Sequence, residues 1–125
     1  PEQGYQLAFT PAGLFRTALR AIDEELRAAD GSAFASLEPE TQDIWLLALE
    51  AEQRDLGGVP SNVFFSYLLQ MTLEGFFADP MYGGNRDMVG WRLVGFPGAY
   101  ANYYEFVDQY GIVFDRPPMS INGET

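Results

Sequence analysis

His, Lys and Cys are absent, so Asp, Glu, Arg and Tyr carry the ionisable side-chain chemistry of this chain: eighteen carboxylates, seven arginines and seven tyrosines. That absence removes ordinary zinc sites, iron–sulfur clusters, Cys-x-x-Cys-His haem attachment and Ser–His or Cys–His nucleophiles. It also removes Schiff bases and the phosphate-binding lysine of a Walker loop. Carboxylate acid–base chemistry, Tyr or Arg electrostatics and oxygen-ligated Ca²⁺ or Mg²⁺ survive. Glu74 and Asp79 flank an aromatic patch, the arrangement a two-acid glycosidase needs, with aromatic rings to stack on sugar. Among eighteen acidic residues chance pairs are inevitable, and no second feature supports this reading. Asp79, Asn85 and Asp87 offer oxygens to Ca²⁺, but their spacing is not that of an EF-hand loop. Turn and cap roles are simpler: Asp79 precedes Pro80, and Asp87 precedes a short helical pattern. Gly83-Gly84 lacks the strand–loop–helix context and the Lys of a phosphate cradle, so it reads as a tight turn. Arg86 and Arg92 pair with Asp79 and Asp87 of the same stretch or with a partner's carboxylates, the internal pairing being favoured. Trp91 is either an anchor of the local core or an interface hot spot, and core is the better reading.

The background of these residues is acidic, with a formal net charge of −11. Such a balance argues against nucleic-acid backbones and anionic membrane surfaces, which need a basic face. A 47% hydrophobic content over 125 residues suffices for the core of one domain. No apolar run approaches the ~20 residues that span a bilayer. The lack of Cys suits either redox compartment. The first residue is Pro1 and not Met, which predicts a processed or trimmed chain.

The elements that must position these groups read as helices. After a short lead over Pro1 to Phe9, Thr10-Pro11 is a cap-and-first-position signal. Leu14, Phe15, Ala18, Leu19, Ile22 and Leu26 recur at helical spacing and predict an amphipathic helix over 11–29. Asp30-Gly31-Ser32 ends it, with Gly31 as a left-handed cap. Phe34 and Leu37 tuck under the next helix, which starts at Glu38-Pro39-Glu40 and carries Ile44, Trp45, Leu47, Ala48 and Ala51 as its apolar stripe. Gly57-Gly58 stops it by about Leu56. Pro60-Ser61 opens a third helix that breaks between Gly75 and Asp79, because Pro80 disfavours helical geometry before it. This helix is apolar on most faces, which predicts burial in its own domain or, the reading preferred here, against a partner. Asp87 to Leu93 predicts one or two turns with Asp87 as cap. Ala99 to Tyr110 reads as a helix with an aromatic stripe, and residues 111–125 as an extended tail with Pro117-Pro118. The fold class is therefore mainly α: a single helical domain over 1–125, with three to five helices and a long ordered loop.

That loop organises the chain. Six of the thirteen glycines lie between Gly75 and Gly98, with Phe76, Phe77, Tyr82, Trp91 and Phe96 among them. Glycine gives access to φ > 0 and to close approach, and aromatics give area and shape, so the run reads as an ordered loop. Fourteen of the nineteen aromatics lie from Phe64 onward, while residues 1–56 hold eleven acidic and four basic residues. One half is a charged, solvated face; the other is rich in residue types that bury at interfaces.

Phe76-Phe77-Ala78-Asp79-Pro80-Met81-Tyr82-Gly83-Gly84-Asn85-Arg86-Asp87, followed by Gly90-Trp91-Arg92-Leu93-Val94-Gly95-Phe96-Pro97-Gly98, resembles the signature of the gluconate 2-dehydrogenase subunit 3 family. The signature occupies 76–98, and the resemblance covers most of the chain, most densely from Phe34 to Phe114. It implies a small, or gamma, subunit of a periplasmic flavoprotein dehydrogenase. The implied partner is a glucose–methanol–choline-type subunit that holds FAD and oxidises a sugar or sugar acid; a c-type cytochrome with haem c commonly takes the electrons onward. It also implies a precursor with a twin-arginine signal. No cofactor, metal or catalytic residue is expected in this chain, since flavin-dependent alcohol oxidation needs a base beside the flavin that the partner must supply. The expected partner contacts are Phe76, Phe77, Asp79, Tyr82, Asn85, Arg86, Trp91, Arg92, Phe96, Tyr100, Tyr103 and Tyr104. A carboxylate-dependent carbohydrate enzyme and an isolated interaction module are the alternatives.

Overall fold

The computed structural model describes residues 8–29, 31–52 and 54–125, and most of the expected lead over Pro1–Phe9 lies outside them. Among the described residues there are four α-helices and no strand: α1 (Pro11–Ala29), α2 (Pro39–Ala51), α3 (Ser61–Phe77) and α4 (Val89–Val94). Short 3₁₀ turns lie at Phe34–Ser36, Pro80–Tyr82, Arg86–Met88 and Ala101–Phe106. The chain divides into two units, Pro1–Leu69 and Gln70–Thr125, with the division falling inside α3.

In the first unit, Thr10 Oγ1 accepts from Gly13 N–H at 3.1 Å and caps α1. Leu14, Ala18, Ile22 and Leu26 recur every fourth residue and are all buried, so α1 supplies one continuous apolar face. Gly31 (φ +78°) ends it, its N–H reaching the Arg27 carbonyl at 3.2 Å, a left-handed cap. The core continues with Leu49, Leu56, Val59 and Phe64, and the Phe15 and Phe64 rings meet edge-on at 5.7 Å. α2 keeps only part of the expected stripe inward: Trp45 packs against the core beside the buried Leu49, whereas Ile44 and Leu47 are 65% and 63% exposed.

α2 stops at Ala51, earlier than Leu56, because the connection to α3 needs its own bonds. Ser61 Oγ donates to the Glu52 carbonyl, and the Arg54 N–H donates to Ser61 Oγ at 3.1 Å. The Ser61 N–H returns to the Arg54 carbonyl at 2.8 Å, and Leu56 N–H bonds Val59 O at 2.8 Å. These bonds hold Glu52 extended at the end of α2. The Arg54 guanidinium pairs with Glu25 of α1 and lies 4.9 Å over the Trp45 ring of α2. One side chain thus ties both helices to the connection.

α3 is apolar nearly all round, yet only Ser61 and Phe64 are buried. Tyr67, Leu69, Met71, Leu73 and Phe77 remain exposed. In the second unit a 3₁₀ turn over Ala101–Phe106 replaces the helix expected across Ala99–Tyr110. The tighter turn eclipses residues three apart, which stacks Tyr100, Tyr103 and Phe106 on one side. All three rings contact Phe114, at 5.1, 5.2 and 6.0 Å. An α-helix would rotate the stripe by about 60° over each three-residue step, from its 3.6 residues per turn. The tail is held by a bridge between Gly98 and Met119, with Ala99 N–H donating to Met119 O at 2.7 Å.

Candidate functional site

The end of α3 and the stretch after it form one hydrogen-bonded piece. A helix leaves its last carbonyls without intrahelical donors. Here the following loop supplies them. Asn85 N–H donates to Gly75 O at 2.8 Å, Asn85 Nδ2 donates to Ala78 O at 3.0 Å, and Trp91 Nε1 donates to Phe77 O at 2.8 Å. Asn85 Oδ1 also accepts from Gly90 N–H at 2.8 Å, satisfying the start of α4. Asn85 therefore joins the end of one helix to the beginning of the next and is 5% exposed.

The glycines follow from this closeness. A Cβ on Gly84 would collide with Gly75 O, and one on Gly90 with Phe76 O. The backbone between them is unusual: Asn85, Asp87 and Met88 all have positive φ, at 44°, 56° and 54°. Asn and Asp tolerate that region better than other side chains, and Met rarely enters it. Asp87 is therefore not the helix cap expected of it. The residue before α4 is Met88, and the side chain that reaches the α4 start is Asn85.

Asp79 is tied to the tail. Its carboxylate accepts from Met81 N–H at 3.0 Å, from Ser120 Oγ, and from Ile121 N–H at 2.8 Å. Burial pushes this carboxyl up, but the bonds from Ser120, Met81 and Ile121 outweigh it and hold the pKa below the ordinary value. The favoured pairing of Asp79 with Arg86 or Arg92 does not form: the Asp79 oxygens are taken by the tail, and Arg92 Nε donates to the backbone carbonyl of Asp87 at 3.1 Å.

The expected contact residues divide into three groups. Asp79, Asn85 and Trp91 are buried, the last as the core anchor of the loop, edge-on to Phe96 at 5.1 Å. Phe76, Tyr100 and Tyr103 are half-buried; the Tyr100 hydroxyl donates to Pro117 O at 2.6 Å and the Tyr103 hydroxyl to Gly98 O at 3.0 Å. Burial and the neighbouring Tyr100 push the Tyr103 hydroxyl up from its ordinary pKa, against a backbone bond from Tyr100 that lowers it. Phe77, Tyr82, Arg86, Arg92, Phe96 and Tyr104 are exposed, Tyr82 by 74% and Tyr104 by 90%. Leu93, Val94 and Val113, not among the expected contacts, are also exposed; their apolar character beside turn residues was the available signal. Sequence reasoning also passed over Ser120, whose polar side chain in a tail gives no sign of its distant partner.

Among the described residues no three acidic side chains gather closely enough to hold a metal ion, and no helix is long and apolar enough to cross a membrane. Glu74, the other half of the two-acid reading, is exposed and accepts from Gln70 Nε2 at 2.8 Å.

No curated protein and no solved structure matches the chain. The family model described as gluconate 2-dehydrogenase subunit 3 matches residues 6–98. The match reaches further towards the N-terminus than Phe34 and closes on Gly98, the last residue of the capping loop. It takes in α1 to α4 and the whole of the loop that ties α3 to α4. The chain belongs to the gluconate 2-dehydrogenase subunit 3 family.

Proposed function

We propose that the chain is a non-catalytic small subunit of a flavoprotein sugar or sugar-acid dehydrogenase, and that it supports the assembly or stability of the FAD-holding subunit. The observation that carries this reading is the inward use of the loop's polar groups. Asp79, Asn85 and Trp91 complete the chain's own hydrogen bonds, which leaves them no reacting partner. The two-acid alternative fares worse, because Asp79 already accepts three bonds. A general acid or base needs a free oxygen within reach of substrate. The hydride chemistry of FAD, its base and the sugar site belong to the partner, and a c-type cytochrome is the onward electron carrier. The periplasm is the compartment this complex implies.

The exposed aromatics supply the contact. Tyr82, Phe96 and Tyr104 project from the unit that holds the loop, and large aromatic side chains are the usual anchors of protein interfaces. The test is coexpression with a glucose–methanol–choline-type FAD subunit. A yellow complex that reduces a dye with a sugar or sugar acid is expected. The chain alone should be colourless and inactive. Sugar-dependent turnover by the flavin-free chain, lost on substitution of Asp79 or Glu74, would reverse the assignment.

A further inference from the structure

Two of the three arginines in the second unit, Arg92 and Arg116, line one cleft together with Trp91, Phe96, Phe114 and Pro118. Among the described residues that line it there is no carboxylate. Neither guanidinium is in an ion pair among the described residues. Arg92 is oriented through Nε by the Asp87 carbonyl at 3.1 Å, which leaves both of its Nη groups for a ligand. Arg116 lies 5.6 Å over both the Tyr100 and the Phe114 rings, so its plane is held by stacking. In a chain of net charge −11, two adjacent cations without counter-charges make a local electropositive site.

We infer that this cleft binds a small carboxylic acid, its carboxylate seated between Arg92 and Arg116. A planar guanidinium presents paired N–H donors that match the two oxygens of a carboxylate. The cleft is about 230 Å³, roughly the room of eight waters at about 30 Å³ each, which limits the ligand to a small molecule. Its walls are rings and prolines, stiff groups that lose little freedom on binding. The acidic surroundings favour a singly charged ligand over a dianion such as phosphate. The site stands on the second unit's own residues and does not depend on a flavoprotein partner.

Trp91 lines the cleft and reports on it once Trp45, the other tryptophan, is changed to Phe. The full chain carrying Trp45→Phe is titrated with gluconate, with neutral glucose and with inorganic phosphate at constant ionic strength. Gluconate should change the fluorescence saturably with a Kd near or below about 1 mM, within reach of two charge-assisted contacts. Glucose and phosphate should bind at least tenfold more weakly. Arg92→Gln and Arg116→Gln should each weaken gluconate at least tenfold, with the melting temperature retained. Arg116→Lys should fall between, since it keeps the charge and loses the fork. Arg20→Gln on α1 should change nothing. Equal responses to gluconate and glucose, tighter binding of phosphate, or unaltered binding by both folded Gln variants would overturn the assignment. So would the absence of gluconate binding together with loss of the copurified flavoprotein in the Gln variants, because the carboxylate would then come from a partner chain.

Discussion

Replacing Asn85 with Ala tests the capping loop most directly. The substitution deletes the donor to Ala78 O at 3.0 Å and the acceptor for Gly90 N–H at 2.8 Å. Both backbone groups stay in an enclosed place, so each lost bond costs about 1–2 kcal/mol, including the desolvated group left behind. Ala must also hold φ 44°, a left-handed conformation that costs about 1 kcal/mol for a side chain with a Cβ. Together these give roughly 3–5 kcal/mol, a large share of the ~5–15 kcal/mol that stabilises a domain. The assay is urea unfolding followed by Trp91 in the Trp45→Phe background, where the reporter itself bonds Phe77 O at 2.8 Å. Asn85→Gly separates the two contributions. It loses the same bonds but reaches positive φ freely, so it should be about 1 kcal/mol less damaging than Asn85→Ala. Asn85→Ala within about 0.5 kcal/mol of its parent, the usual spread for a surface change, would refute the capping account.

Gly90→Ala should destabilise by about 1–3 kcal/mol, the usual range for overpacking, because its Cβ meets Phe76 O; Gly75→Ala meets nothing within 4 Å and should be neutral or slightly stabilising in thermal melts. Asp79 has a folded pKa below its ordinary 3.8, so its contribution is complete above that value and is lost as pH falls through the lower folded value. The melting temperature should therefore drop as pH falls below about 4, and Asp79→Asn should shrink that acid limb while lowering stability at pH 7; equal limbs in the two proteins would refute the tether to Ser120 and Ile121. Tyr82→Ala removes a ring that is 74% exposed; it should leave the isolated chain folded and cut copurification of the flavoprotein more than tenfold, as loss of an interface anchor worth about 2 kcal/mol does. Glu24→Ala on α1 is the control. It is a cleaner one than Glu25→Ala, which would break the ion pair with Arg54.

What was legible in the sequence were the features written in neighbouring residues. Thr10-Pro11, the four-residue spacing from Leu14 to Leu26, and Gly31 mark α1 to the residue at which it starts and ends. Pro60-Ser61 marks the α3 start in the same way. The errors lie where a distant partner decides. α2 stops at Ala51 because Ser61, nine residues beyond Glu52, takes the Glu52 carbonyl. The Tyr100–Phe106 turn tightens against Phe114, and no local propensity distinguishes a 3₁₀ stripe from an α one. Asp79 finds Ser120 and Ile121 across more than forty residues, a pairing with no periodic trace.

The signature stretch is instructive for the opposite reason. Its residue types announced an ordered loop, yet residue type alone did not say which side chains would face inward. Asn85 and Tyr82 were both expected at a contact surface; Asn85 is a buried connector, whereas Tyr82 stands in solvent. Recognition through the signature therefore reads the backbone geometry that caps α3 and starts α4, since Gly84, Asn85, Gly90 and Trp91 all serve it. Docking must be read from the exposed side chains that this geometry holds in place. Under the proposed docking, a variant that breaks the cap should lose both properties, and a variant at Tyr82 or Tyr104 only the second. Substitutions at the two kinds of position thus tell a folding defect from a binding defect in the proposed complex.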